Sequence, residues 1–394
     1  MTKLTYKDTL RASYLGYVTQ AIVNNFAPLL FLIFQEQFGI PLEQITLLIT
    51  LNFLVQLVVD MLAAKYVDRI GNKVSVVAAQ VLAGIGLAGL ALFPALFTNA
   101  FHGLLLAVVI YGMGGGLLEV LLSPIVEAVP TENKAGNMSI LHSFYCWGTM
   151  FVIIVSTLFL FFFGQDTWPI LAIIWAIFAF GNGIYYYFVP INVLVEEEER
   201  LPLASLLTFK SFWLFCLLMF AAGASEQAVM QWASAFVESG LGISKTLGDL
   251  LGPTMFALFM GIARLLYAKY SQKIDIVQAI FWSSLLCVFA YLTIAFAPHP
   301  TIALIGCALT GFSVGILWPG VFSMAAVPFR HAGTAIFAIL ALAGDVGAAT
   351  GPTIVGFVAS QFNNQLEYGF LVATILPLSL VLLSGLYQKC RKTT

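Results

Sequence analysis

Residues Asp60-Met61-Leu62-Ala63-Ala64-Lys65-Tyr66-Val67-Asp68-Arg69-Ile70-Gly71 are nearly repeated, 204 residues later, as Arg264-Leu265-Leu266-Tyr267-Ala268-Lys269-Tyr270-Ser271-Gln272-Lys273-Ile274-Asp275. Each copy closes an apolar run with a basic turn. The offset is about half of a 394-residue chain, which predicts two copies of one structural unit. In a membrane, parallel halves of this kind build transporters that rock about a central site. The copies oppose charge at one position, Asp60 against Arg264.

Composition places the chain in a bilayer. Apolar residues make up 60% and charged residues 9%, with a mean hydropathy of +0.96, well above the apolar share of soluble domains. A spanning helix needs about 20 mostly apolar residues. Twelve such windows are legible: 11–35, 43–66, 74–97, 102–128, 137–163, 168–190, 209–236, 247–270, 277–297, 301–327, 333–361 and 367–388. Continuous apolar runs without strict alternation favour helices over barrel strands. The expected fold is an all-α membrane protein, twelve transmembrane helices in two pseudo-symmetric six-helix bundles.

Lys and Arg in short loops set the orientation. Lys3, Lys7, Arg11, Lys65, Arg69, Lys73 and Lys134 fall on the tail and alternate loops, and Arg200, Lys210, Lys269, Lys273, Arg330, Lys389, Arg391 and Lys392 continue that side. Lys245 stands opposite. Both termini are therefore expected in the cytoplasm of a cell whose inner (plasma) membrane, bacterial in this reading, holds the protein. The first apolar stretch is too long for a signal-peptide core and lacks a small-residue cleavage pattern. Cys146, Cys216, Cys287 and Cys307 read as buried small hydrophobes within helices, and Cys390 lies on the tail. Four scattered histidines offer no metal site.

The halves run over 1–190 and 209–394, joined by a cytoplasmic linker, 191–208, that holds the charge run Glu196-Glu197-Glu198-Glu199-Arg200. A second repeat supports this division: Ala128-Val129-Pro130 with Ala135-Gly136 matches Ala326-Val327-Pro328 with Ala332-Gly333. Gly112/Gly116, Gly311/Gly315 and Gly347/Gly351 form small-xxx-small pairs that let helices approach closely in lipid.

At Ala64-Lys65-Tyr66-Val67-Asp68-Arg69-Ile70-Gly71-Asn72-Lys73 the chain resembles the loop signature of the major facilitator superfamily. Ala64 and Asn72 depart from it, while Asp68, Arg69, Gly71 and Lys73 keep it. The resemblance implies two six-helix bundles over the whole chain and a contact at Asp68 that latches the outward-facing state. Gly112-Met113-Gly114-Gly115-Gly116-Leu117-Leu118-Glu119 and Asn137-Met138-Ser139-Ile140-Leu141-His142 are similar to the fucose-permease-like sugar:proton symporters, whose helix-4 glutamate maps to Glu119. Asn24-Asn25-Phe26-Ala27-Pro28 resembles that group too, although Ala27 stands where it carries an aspartate.

Ionisable residues in hydrocarbon cost at least about 2.5–3.5 kcal/mol by insertion scales and need partners or water. Glu119 lies about nine residues from the cytoplasmic end of its segment, near mid-membrane at 1.5 Å per residue. Glu226 and Asp345 are expected at similar depth. These three are the candidate proton-coupling carboxylates, with Asp345 equally readable as an ion-pair partner. Gln227 and Gln231 share a helix face, and amides beside the Trp232 indole suit a hydroxylated solute. The candidate substrate set is Asn24, Asn25, Glu119, Trp147, Glu226, Gln227, Gln231, Trp232 and Trp318, with packing as the alternative for each tryptophan. Asp60, His142 and Arg264 are expected shallower; with Asp68 and Arg69 they form the candidate gating set. Arg264 cannot give up its proton, so it calls for an acid or carbonyl partner. Asp68 at a helix end suits the positive N-terminus of another helix.

The expected activity is secondary active transport of a small polar, sugar-like metabolite by alternating access with proton symport. A proton-antiporting exporter of drugs or lipid-like compounds is the alternative, and a membrane sensor built on a transporter fold is the reading from another class. No Ser/His or metal constellation and no nucleotide loop argues for an enzyme. The expected partners are the solute, protons and the lipid bilayer, with no nucleic acid and no cofactor, and the functional unit is expected to be a monomer.

Overall fold

The computed structural model describes residues 4–40, 42–193, 203–233, 236, 245–297, 299–363 and 365–393. The linker's charge run, Glu196 to Arg200, and Lys3 lie outside the described residues, as do the side chains of Lys245, Cys390 and Lys392. The elements are helical throughout. They are α1 (Tyr6–Leu29), α2 (Phe31–Phe38), α3 (Leu42–Ile70), α4 (Asn72–Leu92), α5 (Ala100–Glu127), α6 (Lys134–Phe163) and α7 (Trp168–Phe188). After the linker come α8 (Leu203–Leu206), α9 (Lys210–Met230), α10 (Lys245–Tyr270), α11 (Ile276–Ala295), α12 (Pro300–Val314), α13 (Leu317–Ala326), α14 (Ala335–Gln361), α15 (Leu366–Ala373) and α16 (Ile375–Thr393). Long apolar runs favour this outcome because a helix satisfies every backbone N–H and C=O from within the segment.

Among the described residues, 10 stretches are long and apolar enough to cross a membrane. α1 is not one of them, since Gln20, Asn24 and Asn25 hold its hydropathy down. Its polar side chains turn inward. Gln20 is buried, and Asn24 and Asn25 are half-buried.

The chain forms two compact units. The first comprises Met1–Thr131, Phe144–Arg200 and Gly333–Ala338; the second comprises Glu132–Ser143, Leu201–Ala332 and Ile339–Thr394. The sequence repeat divides the chain once, at the linker. Packing divides it differently, because the first turns of α6 cluster with the second unit and the first turn of α14 with the first.

The core of the first unit gathers Ile22, Phe26 and Phe34 with Leu87, Leu104 and Trp168. Trp168 donates its indole N–H to Gln37 (2.8 Å), so its polar edge is satisfied where the ring is buried.

Each small-residue pair faces a neighbouring helix. Gly112 and Gly116 lie against Asn52, Val55, Gln56 and Val59 of α3. Gly311 and Gly315 do the same against Phe256, Met260 and Ala263 of α10. These contacts are equivalent in the two repeats: the helix carrying the repeated Ala-Lys-Tyr segment meets the glycine face of the fourth spanning segment in its own half. Gly347 and Gly351 lie against the Phe220 and Ala224 backbones of α9.

Prolines account for two breaks in windows expected to be continuous. Pro319 has no N–H for the Gly315 carbonyl four residues back, and the chain divides there into α12 and α13. Pro377 deprives Ala373 in the same way, dividing α15 from α16. At the first window, Leu30 N–H bonds Ala27 O at 3.0 Å, a tighter turn just after Pro28 that separates α1 from α2.

The two copies of the opening segment end differently. Gly71 enters α4 at φ 95°, a conformation suited to glycine. Asp275 occupies the equivalent position at φ −66° and caps α11, accepting from Val277 N (3.0 Å) and Gln278 N (3.1 Å). Its other oxygen accepts from Arg391 Nη1 at 2.7 Å. Burial pushes the Asp275 carboxyl up, but the Arg391 hydrogen bond and the two amides outweigh it and hold the group below the usual carboxylate range. A depressed folded pKa contributes stability that is present above the unfolded value of about 3.9 and is lost as pH falls through the folded one. Lowering the pH from 5 towards 3 should therefore reduce the melting temperature more in the wild-type protein than in Asp275→Asn. Equal drops in the two proteins would refute this.

Packing predicts a second contrast. A Cβ at Gly351 would meet the Ala224 backbone, with Cα at 3.0 Å, whereas one at exposed Gly181 would meet nothing within 4 Å. Gly351→Val should cost about 1–3 kcal/mol through overpacking and lower the melting temperature. Gly181→Val should leave it nearly unchanged.

Candidate functional site

A polar cluster lies inside the first unit, built by four helices. Glu119 on α5 accepts a 2.8 Å hydrogen bond from Gln20 Nε2 on α1. One turn along α1, Asn24 Oδ1 accepts from Gln56 Nε2 (2.8 Å) and Asn52 Nδ2 (3.3 Å) on α3. Asn24 Nδ2 donates to the Tyr145 hydroxyl on α6 at 3.4 Å. Asn25 Nδ2 donates to Ala21 O (2.8 Å) and to Thr149 Oγ1 (3.3 Å). The glycine face of α5 makes this possible, since a Cβ at Gly112 would sit 3.2 Å from Asn52 Oδ1. The cluster offers amide donors and acceptors, a phenol and one carboxylate, a set matched to a hydroxylated solute and a proton.

Asn24, Asn25 and Glu119 are therefore brought together. Gln20, Asn52, Gln56, Tyr145 and Thr149 were not anticipated, yet their spacing was a signal. Gln20/Asn24, Asn52/Gln56/Asp60 and Tyr145/Thr149 each recur at i,i+4, polar stripes on otherwise apolar helices. Asp60 continues the α3 stripe and is fully buried. Trp147 on α6 is half-buried beside Gly148, which lies against Val18 and Ala21 of α1.

The second unit is organised by Arg264 on α10, which is 3% exposed. Its Nε donates to Gly315 O (2.7 Å), the carbonyl that Pro319 leaves without its helical donor. Nη1 donates to His142 O at 2.8 Å, and Nη2 lies 3.8 Å from Glu226 Oε2 on α9. The Arg264 carbonyl in turn accepts from Ser139 Oγ (2.7 Å). His142 itself is buried, its ring 5.7 Å from Phe322. Glu226, expected deeper than Arg264, meets it through the length of the Arg264 side chain.

Gln227 Nε2 approaches Glu226 Oε1 at 3.4 Å and Gln231 Nε2 donates to Gln227 Oε1 at 3.1 Å, so the shared face expected of these amides is present. The indoles rest on α14. Trp232 Nε1 donates to Pro352 O (3.0 Å), and Trp318 covers Gly344. Half-buried Asp345 stands between Gly344 and Gly347 on that same helix.

At the start of α14, Thr334 N–H donates to both Asp68 oxygens, at 3.2 and 3.0 Å. Thr334 Oγ1 lies 3.3 Å from Asn72 Oδ1. A carboxylate against free helix amides meets both an unfilled donor and the positive end of the dipole. Arg69, the next residue, is exposed.

The sequence model of the Major Facilitator Superfamily matches residues 14–352. The chain belongs to that superfamily. It is a membrane transporter by family and fold, and not of an enzyme family. No curated protein matches it by sequence. Among solved structures, the superfamily transporter FucP in the outward conformation is similar at 14% identity and TM-score 0.81, covering 96% of this chain and 98% of FucP. A second FucP structure is described as the E. coli fucose:proton symporter. The proton:xylose symporter XylE, bound to 6-bromo-6-deoxy-D-glucose, is similar at 14% identity and TM-score 0.80, covering 95% of this chain and 94% of XylE. The human organic anion transporter MFSD10 (TETRAN) is similar at 16% identity and TM-score 0.72, covering 96% and 99%. At these identities the likeness is one of fold.

The superfamily signature residue Asp68 sets a test. Gly333 adopts φ 62°, and a Cβ there would stand 2.5 Å from Asp68 Oδ2. Gly39 adopts φ 65° with nothing within 4 Å. Gly333→Ala should lose about 1–3 kcal/mol from strain plus collision, and Gly39→Ala about 1–2 kcal/mol from conformation alone. Thermal unfolding of the two variants reads the difference, and a smaller loss at Gly333 would contradict it.

Proposed function

We propose that this transporter carries a small, neutral, polyhydroxylated solute, a sugar or a close relative, together with a proton. The Gln20–Glu119 hydrogen bond (2.8 Å) carries the reading: it places one mid-helix carboxylate within an otherwise amide and hydroxyl cluster. A carboxyl group there can hold or release a proton beside the amides and hydroxyls that would bind the solute, so solute binding and proton occupancy share one site. Similarity in fold to a fucose:proton and a proton:xylose symporter supports the same direction. Arg264 argues against an anionic solute, because its donors are engaged by two carbonyls and Glu226.

In this reading α1 and α3 join the 10 apolar stretches to make twelve spanning helices, with both termini cytoplasmic in a plasma membrane. Glu119 carries the proton. Asn24, Asn25, Gln227 and Gln231 contact solute, Arg264 and Glu226 form a conformational ion pair, and Asp68 latches the start of α14. Asp345 serves as a second ionisable site.

Purified protein in liposomes with an interior pH dye tests this against L-fucose, D-xylose and D-glucose. A transported sugar should acidify the interior with the solute. Glu119→Gln should lower this coupled proton flux by about 100-fold or more while solute binding persists. Sugar flux indifferent to a pH gradient, with Glu119→Gln fully active, would exclude the proposed coupling.

A further inference from the structure

Six buried polar groups line one seam of the first unit, where α1 meets α4 and α7. Gln20 is 2% exposed; its Nε2 is used by Glu119, and its Oε1 has no hydrogen-bond partner. Below it the seam holds Asn182 Oδ1 and both polar atoms of Gln80, without hydrogen-bond partners, and the Tyr186 hydroxyl, whose one polar neighbour among the described side chains is Ser13, outside good hydrogen-bond geometry. Tyr186 and Gln80 are 0% exposed. A Cβ on Gly16 would stand 3.3 Å from the Tyr186 hydroxyl, and one on Gly183 would stand 3.1 Å from Gln80 Cβ. Asn182 Nδ2 donates to Ala12 O at 3.2 Å. Ser13 and Thr9 continue the line along α1 to Pro190, Ser13 Oγ donating to Thr9 O (2.9 Å) and Thr9 Oγ1 to Pro190 O (2.5 Å).

Leaving so many buried amide and hydroxyl atoms without hydrogen bonds is costly, and internal water is the ordinary remedy where each molecule finds two to four polar partners. We infer that an ordered file of water occupies this seam and conducts protons between Glu119 and the end of the unit marked by Thr9 and Pro190, separately from the solute's path. The spacing suits it. Gln20, Gly16, Ser13 and Thr9 repeat every three to four residues, so successive stations rise about 4.5–6 Å, a span one or two waters bridge. Gly16 and Gly183 put no side chain of their own into it. Only O–H bonds change: Glu119 gives its proton to the water at Gln20 Oε1, the file shifts by one bond at each water, and a proton emerges at the far end. The charged groups described there include Asp8, which accepts from Tyr185 (3.2 Å) and is paired with Arg11 (3.2 Å), and Lys73, which donates to Val189 O (3.4 Å). Within the seam, Glu119 and Tyr186 are the titratable groups. The inference rests on the proton-carrying role proposed for Glu119.

Two measurements on the full-length protein test it. Water radiolysis oxidises side chains beside bound water. Tyr186 should be modified about tenfold faster than Tyr291, which is equally buried but donates to Ser225 O at 2.6 Å. Equal rates would show the seam dry and overturn the proposal. The second follows the infrared carboxyl band of Glu119, identified by its absence in Glu119→Gln, after a pH jump. Gly16→Val, whose new Cβ would stand 2.8 Å from the tip of Leu122 and 3.3 Å from the Tyr186 hydroxyl, should slow the band's response about tenfold or more. Tyr186→Phe, which preserves packing, should slow it in the same direction. Unchanged rates in both variants would overturn the route and leave Glu119's role intact. A band that never titrates in the wild-type protein would remove the role and the route together.

Discussion

Hydrocarbon offers no water to a polar group, and Arg264 shows how far that requirement reaches. Its guanidinium carries five N–H donors and no acceptor, so burying it at 3% exposure demands acceptors on every side. It takes the Gly315 carbonyl that Pro319 has released from helical bonding, the His142 carbonyl and the Glu226 carboxylate. A proline in one helix, a glycine that lets α10 approach, and an acid on α9 are thus joined by one side chain's need for partners. The Gln20–Glu119 bond and the Asn24 network answer the same need in the first unit with neutral groups.

That contrast follows from how a duplicated scaffold diverges. Both copies retain the apolar helix with its Ala-Lys-Tyr end, and both press it against the glycine face of the fourth spanning segment in their half. Elsewhere the copies differ. Asp60 and Arg264 are equivalent in the repeat and opposed in charge. Gly71 uses a positive φ to begin the next helix, where Asp275 caps it with a carboxylate. Two chemical solutions to the same turn leave the helix pair intact, because lipid-facing packing depends on side-chain size and not on how a loop meets its amides.

Much of the site was legible, in part by the wrong rule. Single ionisable residues drew attention to Glu119, Glu226, Arg264 and Asp68, since a charge in an apolar helix has few innocent explanations. Neutral amides are cheaper to bury and occur singly in packed helices, so Gln20, Asn52, Gln56, Tyr145 and Thr149 stood out only as i,i+4 stripes. Trp232 and Trp318 drew attention as sugar-stacking surfaces, and in the fold both indoles pack against α14.

Composition and the 204-residue repeat alone determined the helical membrane architecture and its duplication, because hydrocarbon thickness and backbone hydrogen bonding leave a spanning segment few options. The superfamily signature at Asp68 was equally local. Partner choice was not. That Gln20 meets Glu119, that Arg264 takes a carbonyl freed by Pro319, and that Asp68 caps the start of α14 depend on which helix faces are turned toward each other. Those faces are chosen by the packing of glycines and large side chains over distances of 50 to more than 250 residues, where spacing along the chain carries no information about proximity.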